Sequence, residues 1–236
     1  MKSLIINDKE ITLIRSKRKS LGLEVGPEGI KARAPKRMHE RDIIAFIQSK
    51  ENWLNNVLDK LPQDLVQQRT RLVSGAELFY QGMPLRLIIT EGSRAPVTTH
   101  NGILEVPVAN TRTPLEQRVR NKIIKWYKQQ AMETCSQRAS HFAPWMSVRR
   151  NRPRQITVRD YKRRWGSCDS NGKLSFNWRI IQAPPCVLDY VVIHELAHLK
   201  EFNHSKAFWA LVSQQMPDYK EHELWLSQRG YSLYRI

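Results

Sequence analysis

The sequence predicts an α+β fold, in which a β-rich N-terminal module of residues 1–110 precedes a second domain of residues 111–236. Three observations predict it. Short apolar runs separated by turn residues fill most of the first hundred positions. Longer stretches with helical periodicity interrupt them at residues 38–60 and follow them from about residue 113. Finally, an almost wholly apolar helix at residues 185–200 is typical of an element in a domain core, here packed on a small sheet.

Composition favours a protein with a sizeable core and an anionic partner. The chain has 236 residues, 41% of them hydrophobic, which suffices for one domain or two small ones. A formal net charge of +17 favours nucleic acid, nucleotides or acidic proteins as partners, the alternative being a charge that only keeps the protein soluble. Three widely separated cysteines, Cys135, Cys168 and Cys186, imply neither a disulfide framework nor a Cys-x-x-Cys zinc ribbon.

The sequence has the pattern of neither a secretory leader nor a membrane-spanning segment. The apolar run near the N-terminus is too short for a secretory leader, and no stretch approaches the ~20 apolar residues that span a bilayer. We therefore expect a cytoplasmic protein with no membrane partner.

The N-terminal module begins with strand-like runs at residues 11–14, 21–25 and 30–34, with a hairpin turn around Pro27. The basic run at residues 15–19 between the first two is either a phosphate-binding patch or a solvated turn.

A helix follows in the same module, because apolar residues recur at helical spacing from 38 to 60. Trp53 is expected in its buried face. Leu61 and Pro62 break this helix, and polar residues to position 71 form a linker. Strand-like runs then return at residues 77–80, 85–89 and 103–108. Their turn signals are Gln81-Gly82 and Asn101-Gly102, the second a strong hairpin signal.

The second domain opens on a capping box made by Thr113, Pro114 and Glu116, which predicts a helix from there to about residue 140. The densest basic cluster, residues 149–154, comes next.

Two strands are expected beyond that cluster, at residues 156–158 and 174–178. Either could lie beside a cleft and bind an extended peptide along its open edge.

The apolar helix carries the chemistry of the chain. His194 and His198 are four residues apart, so their imidazoles project from one helical face and can bind one metal ion. Glu195 lies beside them and can hydrogen-bond a water without taking the metal itself. Because residues 203–205 favour a turn, the chain is expected to bring His204 back towards the two histidines. Ser205 would then cap a second helix that runs to about Gln215.

Imidazole ligands favour zinc, and three protein ligands with one open position are typical of a catalytic site. Glu195 would act as general base, and hydrolysis is the expected reaction.

The motifs together resemble one family of proteins. The segments that carry the likeness are Arg164-Trp165-Gly166-Ser167-Cys168, Asn177, residues 189–198, residues 203–205 and Phe208-Trp209, with Lys17-Arg18-Lys19-Ser20 and Tyr80-Gln81-Gly82 in the N-terminal half. The sequence is similar to YgjP-like metal-dependent hydrolases, relatives of the SprT-like and Wss1-like zinc proteases. The resemblance implies a zincin-like catalytic domain in which His194, His198 and His204 bind Zn²⁺ and Glu195 is the general base. Unlike the metzincins, the chain has Glu201 where their turn has glycine.

Three functions remain open at this level. A metallopeptidase acting on a peptide or protein is the first, with Tyr161, Arg164 and Tyr190 as candidates for holding the oxyanion. A metal-dependent hydrolase of a nucleoside triphosphate or another small anion is the second, although the sequence lacks a Walker-type phosphate loop. The third is a nucleic-acid binding module with a non-catalytic metal, against which Glu195 argues because a structural site needs no base.

Overall fold

The computed structural model describes residues 2–26, 29–60, 70–146 and 153–236. It confirms the α+β class, with several small sheets and helices. The chain divides into two compact units, residues 1–69 and 70–234. None of the helices in the described ranges is long and apolar enough to cross a membrane.

The first unit contains a four-stranded sheet followed by two helices. The strands are β1 (Lys2–Ile6), β2 (Lys9–Ser16), β3 (Gly22–Gly26) and β4 (Gly29–Pro35). They lie in the order β1-β2-β4-β3, with β2 and β4 parallel and the outer pairs antiparallel. β3 and β4 thus form the expected hairpin, although Pro27 lies outside the described residues.

The helical segment of this unit is divided in two. α1 spans Glu40–Ser49 and α2 spans Glu51–Lys60, where the sequence predicted one continuous helix. Lys50 caps α1 with φ −103° and ψ 12°, outside helical geometry. Trp53 was expected in the core but is 45% exposed, because its neighbour Leu54, 2% exposed, supplies the buried face of α2. The predicted linker to residue 71 lies mostly outside the described residues.

A second four-stranded sheet opens the second unit. Its strands are β5 (Glu77–Tyr80), β6 (Met83–Glu91), β7 (Thr98–His100) and β8 (Ile103–Val108). The order β5-β6-β8-β7 and all strand directions repeat those of the first sheet. Both predicted turns are present, and all four turn residues, Gln81, Gly82, Asn101 and Gly102, have positive φ, as two-residue hairpins of type I′ require.

A long helix, α3 (Leu115–Trp145), follows this sheet. It begins later than the capping box predicted, because Pro114 has an extended ψ of 141° and occupies the N-cap position itself, with no side-chain cap. The carbonyl of Thr113 instead accepts a hydrogen bond from Arg118 Nε at 2.9 Å.

After α3, residues 153–236 contain a small sheet and three α-helices. These are β9 (Gln155–Arg159), β10 (Gly166–Cys168), β11 (Lys173–Asn177), α4 (Pro185–Ala197), α5 (Lys206–Gln215) and α6 (Tyr219–Arg229), with 3-10 helices at Trp178–Gln182 and Gly230–Tyr234. The sheet has the order β10-β11-β9, with β10 antiparallel and β9 parallel to β11.

One hydrophobic core serves the whole second unit. It includes Leu87 and Leu104 from the second sheet, Ile123 from α3 and Ile193 from α4, all 0% exposed. The domain boundary that the sequence placed after residue 110 therefore falls inside this unit. In the sequence, β5–β8 continue the strand pattern of the N-terminal module. In the structure, their apolar faces pack against helices further along the chain.

Candidate metal centre

Helix α4 is positioned by a hairpin turn distant in the sequence. Gln81 N–H and Gly82 N–H donate to the carbonyls of Ile181 and Gln182 at 2.8 and 3.1 Å. Gly82 has φ +78°, and a Cβ there would lie 3.1 Å from the Cα of Pro184, so both the backbone conformation and the close approach favour glycine. The turn thus holds the segment that leads into the proline start of α4.

The two histidines of α4 lie at its C-terminal end. His194 is in the last turn, and His198 is the C-cap residue with φ −64° and ψ −17°. His198 Nδ1 lies 3.0 Å from the carbonyl oxygen of Glu201, so Nδ1 carries the proton and Nε2 is left as the ligand atom. The helix ends a little earlier than the sequence suggested.

The turn after α4 brings the third histidine to the other two. Ser205 Oγ accepts a hydrogen bond from Phe208 N–H at 3.3 Å and caps α5, as expected from the sequence. His204, next to this cap, places Nε2 3.1 Å from His194 Nε2. One ring nitrogen from each of His194, His198 and His204 lies within 4.8 Å of the others.

Phe208 contacts all three imidazoles. Its ring centroid lies 4.6 to 4.9 Å from the three imidazole centroids. Burial lowers the pKa of His194 to about 3, with His198 and His204 as further causes, and burial lowers the pKa of His198 as well. Neutral imidazoles are what a metal requires. The donor set of three nitrogens therefore fits a divalent cation.

Glu195 lies beside this triad and is buried. The residue is 5% exposed, and its Oε2 has no hydrogen-bond partner within the described part of the chain. Burial raises the pKa of this carboxyl to about 8, while the cation of Arg164 opposes the rise. A carboxylate that binds a proton near neutral pH is suited to general base and then general acid chemistry.

An open cleft of about 360 Å³ adjoins the carboxylate. Its lining includes Arg164 and Tyr190, two of the three oxyanion candidates, together with His194 and Glu195. The third candidate, Tyr161, is directed elsewhere: its hydroxyl lies 2.9 Å from Ser167 Oγ, and it is not among the residues lining this cleft.

Asn177 carried part of the family likeness in the sequence, and the structure gives it a positioning role near the site. It is 0% exposed, and its Nδ2 lies 2.9 Å from both the Tyr161 carbonyl and the Tyr234 hydroxyl and 3.2 Å from the Arg164 carbonyl. Tyr234 in turn donates to the Tyr161 carbonyl at 3.0 Å. Asn177 thus fixes the segment that carries Arg164. An asparagine between Phe176 and Trp178 in an apolar run was the available signal.

The densest basic cluster of the sequence spans residues 149–154. Residues 149–152 lie outside the described ranges, and the described Arg154 does not line the cleft.

A family model described as YgjP-like, metallopeptidase domain, matches residues 19–229. A 50-residue segment is 48% identical to the UTP pyrophosphatase of Escherichia coli (strain K12). That match covers 20% of this chain and 30% of the relative, so the chain spans less than a third of the curated relative's length. The crystal structure of the metallopeptidase zymogen of Pyrococcus abyssi abylysin has a TM-score of 0.37 and 22% identity, over 41% of this chain and 95% of that chain.

Proposed function

The chain belongs to the YgjP-like metallopeptidase family, and from this premise we propose that it is a zinc-dependent hydrolase of peptide bonds. The observation that carries the proposal is the juxtaposition of three ligand nitrogens within 4.8 Å with the buried carboxylate of Glu195, whose Oε2 has no hydrogen-bond partner among the described residues. Three protein ligands and an adjacent base are the parts of a catalytic rather than a structural metal site.

His194, His198 and His204 would hold the ion. Bound zinc would act as a Lewis acid and make water nucleophilic near neutral pH. Glu195 Oε2 accepts the proton of the attacking water and then delivers it to the leaving nitrogen. Arg164 and Tyr190, which line the same cleft, stand where a donor could hold the substrate oxygen as charge develops on it.

The small sheet favours a peptide as substrate. β10 lies at one edge of the sheet, and its first residue, Gly166, contacts Glu195 and lines the cleft. An extended peptide can pair with an open strand edge through its backbone. The two strands that the sequence left as alternatives are β9 and β11, but β11 is the central strand of the sheet and neither strand lines the cleft. We therefore assign the substrate to β10, which the sequence did not predict as a strand.

One observation favours a second candidate, hydrolysis of a nucleoside triphosphate. The relative that is 48% identical over 50 residues is named UTP pyrophosphatase. Arg164 in the cleft and the net charge of +17 suit a phosphate group. The nucleic-acid binding module is a weaker hypothesis, because a purely binding surface gives no reason to bury Glu195 beside three histidines.

The test is elemental analysis of the wild type, His194→Ala and Glu195→Gln, with casein and UTP hydrolysis followed on the same samples. We expect about one zinc per chain in the wild type and in Glu195→Gln, with loss of zinc in His194→Ala. Casein hydrolysis should fall by roughly 10²-fold or more in Glu195→Gln. Circular dichroism of His194→Ala checks that it folds. Hydrolysis of UTP alone would select the second candidate, and a folded, inactive wild type loaded with zinc would refute both.

A further inference from the structure

The cleft beside Glu195 has three walls with different chemistry. Helix α4 forms the floor, α6 one side, and the segment entering β10 the other. The residues are Tyr190, Val191, His194 and Glu195 from α4, Glu223, Leu226 and Ser227 from α6, and Arg164, Trp165 and Gly166 before and in β10. Because the α6 residues are spaced i, i+3 and i+4, they share one helical face, and that face borders the cleft.

The position and size of the cleft suit one substrate side chain. Its volume of about 360 Å³ is at the small end of ligand pockets. His194 and Glu195 belong to the floor of the cleft. A substrate side chain bound in the cleft would therefore belong to a residue next to the scissile bond. Trp165, Val191 and Leu226 offer apolar surface for the stem of such a side chain.

The charge of the cleft is divided between its two sides. Arg164 lies with its guanidinium carbon 5.3 Å from the centroid of the Tyr161 ring and interacts with Glu195 of the floor, so its charge already has an aromatic ring and a carboxyl group beside it. Glu223, on α6, forms no hydrogen bond or ion pair with any residue of the described ranges. Its carboxylate acts across the cleft floor, where it adds to burial in raising the pKa of Tyr190.

We propose that Glu223 is a specificity-determining residue, which selects a lysine or arginine side chain at the substrate position adjoining the scissile bond. The apolar walls hold the aliphatic stem, and the Glu223 carboxylate at the exposed mouth binds the cationic end. The proposal rests on the proposed peptidase function of the same site.

The experiment measures cleavage of a peptide library by the zinc-loaded full chain, with products identified by mass spectrometry. Wild type, Glu223→Gln and Glu223→Lys are compared. Glu221→Gln is the matched control, because it removes the same charge from the exposed first turn of the same helix and does not line the cleft.

We expect wild type to prefer lysine or arginine over leucine on one side of the cleaved bond. That ratio should fall about fivefold in Glu223→Gln, the scale of one partly solvated ion pair. Glu223→Lys should instead favour aspartate or glutamate, and Glu221→Gln should keep the wild-type ratio. A wild type that cleaves peptides with the same preference as Glu223→Gln, or with a preference for leucine, overturns this inference and leaves the peptidase function intact. A zinc-loaded wild type that cleaves no peptide overturns both.

Discussion

Gly166 lies directly against the side chain of Glu195. A Cβ added to Gly166 would lie 2.6 Å from Cγ and 2.7 Å from Cδ of Glu195, closer than nonbonded carbon atoms approach. Glu195 is itself 5% exposed and has little room to withdraw. The strand edge and the proposed base are therefore in contact because the strand carries no side chain at this position.

Gly166→Ala is accordingly expected to displace the carboxylate of Glu195 without disturbing the three histidines. Hydrolysis should fall by about 100-fold, the scale of an ångström misplacement of a catalytic group, with zinc content unchanged by elemental analysis. Gly75→Ala serves as the control for glycine replacement, because nothing lies within 4 Å of a Cβ there, although its φ of +94° adds backbone strain. Full activity of Gly166→Ala would contradict the assignment of Glu195 as base.

The pair Arg138 and Asp189 ties α3 to α4. Arg138 Nε and Nη2 donate to the two carboxylate oxygens of Asp189 at 2.5 and 2.6 Å, a bidentate geometry. Asp189→Asn should lower the free energy of unfolding by about 2 kcal/mol, because the partly buried guanidinium loses its counter-charge. Urea denaturation measures the change. Glu116→Gln, which breaks the exposed pair with Arg120, is the comparison and should cost less than about 0.5 kcal/mol.

The three cysteines are expected to react with iodoacetamide in a fixed order. Cys186 is exposed and Cys135 is fully buried. Burial, followed by Glu195 and Asp169, raises the pKa of Cys168 to about 11, and burial raises that of Cys135 to about 12. Because the thiolate is the reactive form, labelling of Cys168 should be slow at pH 7 and rise about tenfold per pH unit up to its pKa.

Intact-mass spectrometry between pH 7 and 9.5 follows the labelling. Cys186 should be modified first, Cys168 next and Cys135 only on unfolding. Because the pKa values of Cys168 and Cys135 are both raised, the folded state binds the thiol protons more tightly than the unfolded chain does. The free energy of unfolding should therefore fall as pH rises above about 9. Rapid labelling of Cys168 at pH 7 would contradict its burial.

Asn177 is expected to be essential to the segment that leads into β10. Asn177→Leu keeps the volume but leaves the Tyr161 and Arg164 carbonyls without the amide donor, at a cost of about 3 kcal/mol. Tyr234→Phe removes one hydroxyl from the same network and should cost about 1 kcal/mol. Urea midpoints of the two variants measure the difference, and equal midpoints would show that the amide is not the principal support.

Local sequence predicted much of this protein, because several of its features depend on residues close in the chain. The four-residue spacing of His194 and His198 puts both on one helical face wherever the helix packs. Asn101 and Gly102 favour a positive-φ turn by their own conformational preferences, and Ser205 caps α5 three residues before Phe208. These predictions hold because neighbouring atoms decide them.

Two local predictions differed from the structure, one because of a competing backbone conformation and one because of tertiary packing. Thr113 loses its cap position because the extended Pro114 occupies it. Trp53 and Leu54 are both apolar, and the packing partner of α2, not its periodicity, determines which of them is buried.

Only the tertiary structure decided how the site is assembled. The sequence alone determined an α+β chain with a helix that carries two histidines and an adjacent glutamate. It also placed a third histidine just beyond that helix, after a turn of the chain. It did not determine that Gly166 would lie against Glu195, that Asn177 would hold the segment carrying Arg164, or that Glu223 would face the same cleft. Those relationships join residues 13 or more positions apart in the sequence, and they exist because strands and helices pack to bury one shared core. No local preference of backbone or side chain encodes which distant surfaces meet.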